Sequence, residues 1–192
     1  MMQRAFIDSQ EFKGIDFSKK HLKVGDYEYC TFINCTFSDV DLSEVSFMEC
    51  EFEACNLSMA KLYNTMFKET IFKNCKLLGL RFENCNKYFF EIRFEACILN
   101  LSSFYQLDLT RVIFVDNSLH KVDFTEANLK NIIFNNCDLE GAIFENTNIE
   151  KADFKTAYNF NIDLEKNQVE KAKFSLPGIK GLLEKYRIEI DD

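Results

Sequence analysis

The stretch FEACILNLSSFYQLDLTRVIFVDNSLHKVDFTEANLKNIIFNNCDLEGAIFENTNIEKADF, residues 94–154, places a large apolar residue at every fifth position: Phe94, Leu99, Phe104, Leu109, Phe114, Leu119, Phe124, Leu129, Phe134, Leu139, Phe144, Ile149, Phe154. A period of five matches neither the 3.6 of a helix nor the 2.0 of a strand. Each five-residue unit must therefore make its own short extended segment and its own corner. Units of this kind stack, and added length adds layers to one continuous core.

Upstream, the same register runs from Phe12 to Phe82, and all fifteen centres there are Phe, Leu or Tyr. From Phe82 to Phe94 the spacing is twelve, so two residues are inserted. The reading places them around Asn86–Tyr88, with Asn84–Tyr88 as a small bulge and Phe89 as the next centre. Every fourth centre forms a second pattern. One face reads Phe12, Phe32, Phe52, Phe72, Phe94, Phe114, Phe134, Phe154, Phe174, and the opposite face reads Leu22, Leu42, Leu62, Phe82, Phe104, Phe124, Phe144, Leu164. The expected fold is all-β: a quadrilateral β-helix of eight to nine coils, 20 residues each. At about 4.8 Å per coil the rod is roughly 40 Å long, with like aromatic rings stacked along its axis.

Two residues before each centre the side chain also points inward, and small residues dominate there, among them Cys30, Cys35, Cys50, Cys55, Ala60, Thr65, Thr70, Cys75, Cys97, Ala127, Cys137 and Ala152. All eight cysteines take this position, Cys85 when the register is carried straight on from Phe82, so they read as small buried hydrophobes and not as metal ligands, which prefer gaps of two to four residues. Intervening positions are Asp, Asn, Lys, Glu, Ser and Thr, which suit solvent-facing corners.

Three segments follow. Residues 1–11 form an N-terminal cap in which Phe6 and Ile7 cover the first coil. Residues 12–174 form the β-helix, with a looser excursion at 158–169 where Asn159 replaces an apolar centre. Residues 175–192 form a C-terminal helix and tail, with Ser175 as cap, Pro177 in the first turn, and Leu176, Ile179, Leu182, Leu183 and Tyr186 as one apolar stripe. Residues 187–190 read as extended.

The 192-residue chain carries a net charge of −8 and has a pI near 4.9. A basic stripe for nucleic acid is not evident. Neither a signal peptide nor an apolar run long enough to span a bilayer is found, so the expected location is the cytoplasm, with reduced thiols. His21 and His120 fall at outward positions without a metal or nucleophile partner at a recognised spacing. No phosphate loop or nucleophile motif is present, so neither an enzyme activity nor a cofactor is expected. The charge pattern says more. From Val24 to Ala60 there are eight acids and no Lys, Arg or His, and Asp138, Glu140, Glu145 and Glu150 form a second acidic run. Such fields attract a partner with a basic groove, or serve solubility alone.

Units such as Ala127-Asn128-Leu129-Lys130-Asn131, Ala152-Asp153-Phe154-Lys155-Thr156 and Cys137-Asp138-Leu139-Glu140-Gly141 resemble the A-(D/N)-(L/F)-x-x motif of pentapeptide repeat proteins. The ending Leu176 to Ile190 resembles the cap of the quinolone-resistance (Qnr) and MfpA group within that family. The resemblance implies a right-handed, four-sided β-helix. It also implies a homodimer joined through Leu176, Ile179, Leu182, Leu183 and Tyr186, and an acidic rod that mimics DNA to bind gyrase or topoisomerase IV. In this chain the acidic patches that would take that role are Asp39, Asp41, Glu44, Glu49, Glu51, Glu53, Asp138, Glu140 and Glu145. That group projects two sizeable loops, whereas this chain offers only the bulge and the excursion. The alternative expectation is a structural or interaction scaffold with an unrelated protein partner.

Overall fold

The computed structural model describes residues 4–189. Among them, four strands, β1 (Ala5–Asp8), β3 (Gly25–Glu28), β5 (Ser46–Met48) and β7 (Met66–Lys68), line up in sequence order as one parallel sheet. On the adjacent face β2 (Glu11–Lys13), β4 (Thr31–Ile33), β6 (Glu51–Glu53), β8 (Thr70–Lys73), β9 (Ile92–Glu95), β10 (Ile113–Val115) and β11 (Phe134–Asn135) form a seven-stranded parallel sheet. The register steps by one coil, Phe12 to Phe32 to Phe52, and lengthens by the inserted pair between Phe72 and Phe94. The other two faces are laddered by single bridges, such as Asp16–Thr36–Asn56–Lys76 and Arg81–Ser103–Asp123–Ile143. No helix among the described residues is long and apolar enough to cross a membrane.

The phenylalanine column is continuous. Successive rings from Phe12 to Phe174 stack with centroids 4.7–5.6 Å apart. It outlasts the seven-stranded sheet by two rungs, Phe154 and Phe174, which single bridges carry. Across the rod, Phe82, Phe104, Phe124 and Phe144 stack likewise, and they meet the first column edge to face. Both geometries suit the ring quadrupole.

At most centres the residue two after turns the corner with φ between about +50° and +62°, as at Asn34, Glu49, Asn74, Asn131 and Lys151. Asparagine tolerates this left-handed region better than most residues, which accounts for its recurrence there.

The inward cysteines do more than fill space. Cys30, Cys35, Cys50, Cys55, Cys75 and Cys97 each direct Sγ at a centre carbonyl of the preceding coil, 3.2–3.6 Å away. Thr65, Thr70, Ser102, Asn117 and Thr147 make the same bond from the same position. The site selects a small side chain that can donate to a centre carbonyl facing the core, satisfying its own polar atom there.

Several expectations are corrected. The N-terminal segment is not a separate cover: β1 is already a strand of the first coil, with Ile7 pairing to Tyr27 and packing on the core while Phe6 points out. At the insertion a 3₁₀ turn over Lys87–Phe89, held by Asn86 Oδ1 accepting from Tyr88 N, rotates the chain so that Phe90 is the buried residue and Phe89 is exposed. The segment 158–169 keeps the 20-residue spacing, since Tyr158 bridges Asp138 and Gln168 bridges Asn148. Asn159 turns outward at φ +57°, and Phe160 fills the vacated interior against Phe154 and Phe174. Leu164, expected in the second column, is exposed where the chain turns over Asp163–Lys166.

The C-terminal helix is broken into a 3₁₀ turn (Pro177–Ile179), α1 (Lys180–Leu183) and a second 3₁₀ turn (Glu184–Tyr186). Ser175 Oγ accepts from Gly178 N at 3.2 Å, as a cap should. Arg187, expected to be extended, is left-handed at φ +52° and ends the turn; residue 190 lies outside the described residues.

Candidate interaction surfaces

Each rung offers three outward positions, those before, after and two after its centre. The acids of the base-free stretch fill these positions, and because 37 residues wind through nearly two coils they are dealt around the rod. Glu51 and Glu53 flank Phe52 on β6, and Glu49 stands on the corner just before them. Asp41 lies on another face, with Asp39 on the corner leading to it and Glu44 on the corner leaving it.

A stretch without bases in sequence is not without them in space. Arg4 Nε reaches Asp26 at 2.8 Å from one neighbouring coil, and Lys73 Nζ reaches Glu51 at 2.7 Å from the other. Lys61 sits beside Asp41 in the bridged rung. Hydrogen bonds from the Ser43 hydroxyl and backbone N–H hold the Asp41 carboxyl below its ordinary pKa. Asn64 Nδ2 donates to Glu44 at 2.7 Å, and the Ser38 hydroxyl to Asp39 at 3.3 Å. The carboxylates are thus fixed in place as well as negative.

The second acidic run behaves similarly. Lys166 meets Glu145 at 3.1 Å and Lys130 meets Glu150 at 2.6 Å. His120 Nε2 contacts Asp138 at 2.9 Å, and its Nδ1 lies 3.9 Å from Glu140. Burial of Asp138 opposes its ionisation, yet the bonds from His120, Asn159 and the Glu140 N–H prevail and keep its pKa low. Among the described residues, His120, Asp138 and Glu140 are the group whose ligand atoms, all within 4.8 Å of one another, could hold a metal ion. Local spacing conceals this cluster. Reading His120 against residues one coil on, at the 20-residue spacing of the ladder, finds Glu140 at once.

Of the five apolar residues at the C-terminal end, Leu182 packs on the core and Leu183 is half-buried, while Leu176, Ile179 and Tyr186 face out. A cleft of about 750 Å³ separates this end from the rod, lined by Glu140, Asn159, Phe160, Leu183 and Ile188 among others.

The eight cysteines are buried and free. Burial pushes Cys50 up to about 12 and Cys137 up to about 11, so these thiols stay protonated at neutral pH and are poor nucleophiles.

Four-sided coils of five-residue units, closed by small inward residues and left-handed corners, define a parallel β-solenoid that presents ladders of surface side chains. The chain belongs to the pentapeptide repeat family: the family model described as "Pentapeptide repeat region" matches residues 45–124 and 87–174. No curated protein matches it in sequence. Among solved structures it is similar to a trypsin-treated variant of QnrB1, described as a plasmid-mediated fluoroquinolone resistance protein, with a TM-score of 0.74 and 17% identity over 98% of this chain and 92% of that one. It is also similar to HetL, a pentapeptide repeat protein involved in heterocyst differentiation regulation from the cyanobacterium Nostoc sp. PCC 7120, with a TM-score of 0.66 and 18% identity over 88% and 87% of the two chains. At these identities the likeness concerns the fold.

Proposed function

We propose that this chain is a cytoplasmic, non-enzymatic interaction protein whose acidic rod enters a basic groove of a protein partner, and that the partner is a type II topoisomerase bound as DNA would be. The observation that carries the reading is the set of outward carboxylates at Asp41, Glu44, Glu51 and Glu53. They are mounted on rigid coils, Asp41 and Glu44 on either side of Leu42 and Glu51 and Glu53 flanking Phe52 on β6, and several are held by neighbours before any partner arrives. Preorganised charge costs less to bind than charge on a flexible tail. The fold shared with a fluoroquinolone resistance protein is consistent with this choice. Self-association is the second part of the reading, with outward Leu176, Ile179 and Tyr186 offering an end-to-end contact.

A second reading, a scaffold for an unrelated partner, is favoured by the outward apolar residues Tyr63, Tyr88 and Leu101, which a DNA mimic does not need. A gyrase supercoiling assay with titrated protein separates the two. The first reading predicts inhibition, or rescue from a fluoroquinolone, and the second predicts no effect.

A further inference from the structure

Three of the four edges of the rod are neutral or mixed in charge. The edge following the four-stranded sheet differs: going up the rod it reads Ser9, Tyr29, Glu49, Glu69, Glu91, Arg111, Asn131, Lys151, Lys171. Backbone bonds from Ser9, Tyr29, Glu49, Asn131 and Lys151 to the next coil make these residues stacked rungs of one edge. Acids occupy its lower part and bases its upper part, and the signs meet at Glu91 and Arg111, which approach to 3.9 Å. Each end also has a cleft. The lower, about 190 Å³, is lined by Glu28, Tyr29, Met48, Glu49 and Lys68, and the upper, about 380 Å³, by Lys151, Lys171, Lys173, Asn131, Asp153 and Ile133. Beside the middle and upper rungs stand Ile113 and Ile133, 45% and 59% exposed.

We propose that this edge is an interface between two copies of the chain, laid side by side and antiparallel. A two-fold axis between the Glu91 and Arg111 rungs sets Glu91 of each copy against Arg111 of the other, Glu69 against Asn131, Glu49 against Lys151 and Tyr29 against Lys171. Such an isologous contact satisfies both copies with one patch and closes on itself. The occupant follows from complementarity: an edge sorted by sign is matched by its own reverse, and a uniformly basic or acidic partner would be repelled over half the length. The isoleucines supply an apolar centre within a polar rim. A strip along a rod of roughly 40 Å is narrow, so the contact belongs with small, charge-steered interfaces and weakens with salt. The proposal does not rest on the topoisomerase reading, and it is the alternative to the end-to-end contact at the cap, from which the variants below separate it.

Sedimentation velocity of the full chain at tens of micromolar tests it. Dimers are expected at low salt, with affinity falling at least tenfold in high salt. Glu49→Lys and Lys151→Glu should each weaken pairing at least tenfold, and the double variant should restore it to within about threefold. Lysine already occupies this corner conformation at Lys151 and Lys171, with φ +58° and +59°, so Glu49→Lys retains the backbone. A monomer at every salt concentration overturns the proposal. So do dimers indifferent to both single changes, single losses that the swap does not repair, and dimers lost only with Leu176→Asp, which places pairing at the cap.

Discussion

The carbonyl oxygen of Phe160 lies 2.0 Å from the point where a β-carbon on Gly181 would sit. The cap is therefore seated on the rod by a backbone approach that only glycine permits, and Ile162 N donates to Gly181 O at 3.1 Å to complete the contact. Gly181→Ala should lift α1 from the last coil, costing about 1–3 kcal/mol as an overpacking change. Thermal unfolding and amide exchange at Ile162 report it, and an unchanged Ile162 amide would contradict the seating.

Cap residues that look equivalent in sequence should separate by experiment. Leu182→Asp places a charge where the side chain packs on the core and should destabilise the C-terminal coils by several kcal/mol. Leu176→Asp, at a residue 84% exposed, should leave the free energy of unfolding within about 0.5 kcal/mol. Urea titration of the two variants compares them directly.

Phe114 lies in the column with stacked neighbours on both sides, Phe94 and Phe134. Phe114→Ala should cost about 3–5 kcal/mol. Phe89→Ala, at the exposed position of the insertion, should be nearly silent, and Phe90→Ala should not. Chemical denaturation that ranked Phe89 above Phe90 would reverse the assignment of the inward residue.

The buried thiols give the protein an alkaline limit. Cys50 and Cys137 titrate from an unfolded value of 9.0 up to about 12 and about 11 in the fold. The folded state holds these protons where the unfolded chain has lost them. Their contribution is thus complete below pH 9 and disappears as pH rises through 9 toward 11–12. Stability by urea titration should decline over that window, more shallowly in Cys50→Ala relative to its own value at pH 7. At pH 8 a thiol reagent should label native protein only as fast as it opens.

The solenoid was legible because two periods, five and twenty, agree at nearly every centre, and a repeat leaves its core little freedom. The length of the insertion was legible too, from the twelve-residue gap between Phe82 and Phe94. What spacing alone could not decide was the rotation of the chain where the repeat breaks. The choice of Phe90 over Phe89 depends on a 3₁₀ turn held by Asn86, and Phe160 is inward because Asn159 adopts a left-handed corner. The surface was harder to read, since neighbours there are 20 residues apart. Glu51 looks unopposed among residues 24–60 and is paired with Lys73, while His120 looks solitary and touches Asp138.

The functional reading stands on topoisomerase engagement by the acidic coils. Gyrase supercoiling is therefore to be followed in the presence of the full chain and of a variant carrying Asp41→Lys, Glu44→Lys, Glu51→Lys and Glu53→Lys, with circular dichroism checking that the β-solenoid is retained. Inhibition of supercoiling, or protection from a fluoroquinolone, is expected at low-micromolar protein, as judged against typical protein–protein affinities, with the effect lost in the variant. Equal behaviour of the two proteins, or no effect of either on the host's own enzyme, would contradict it.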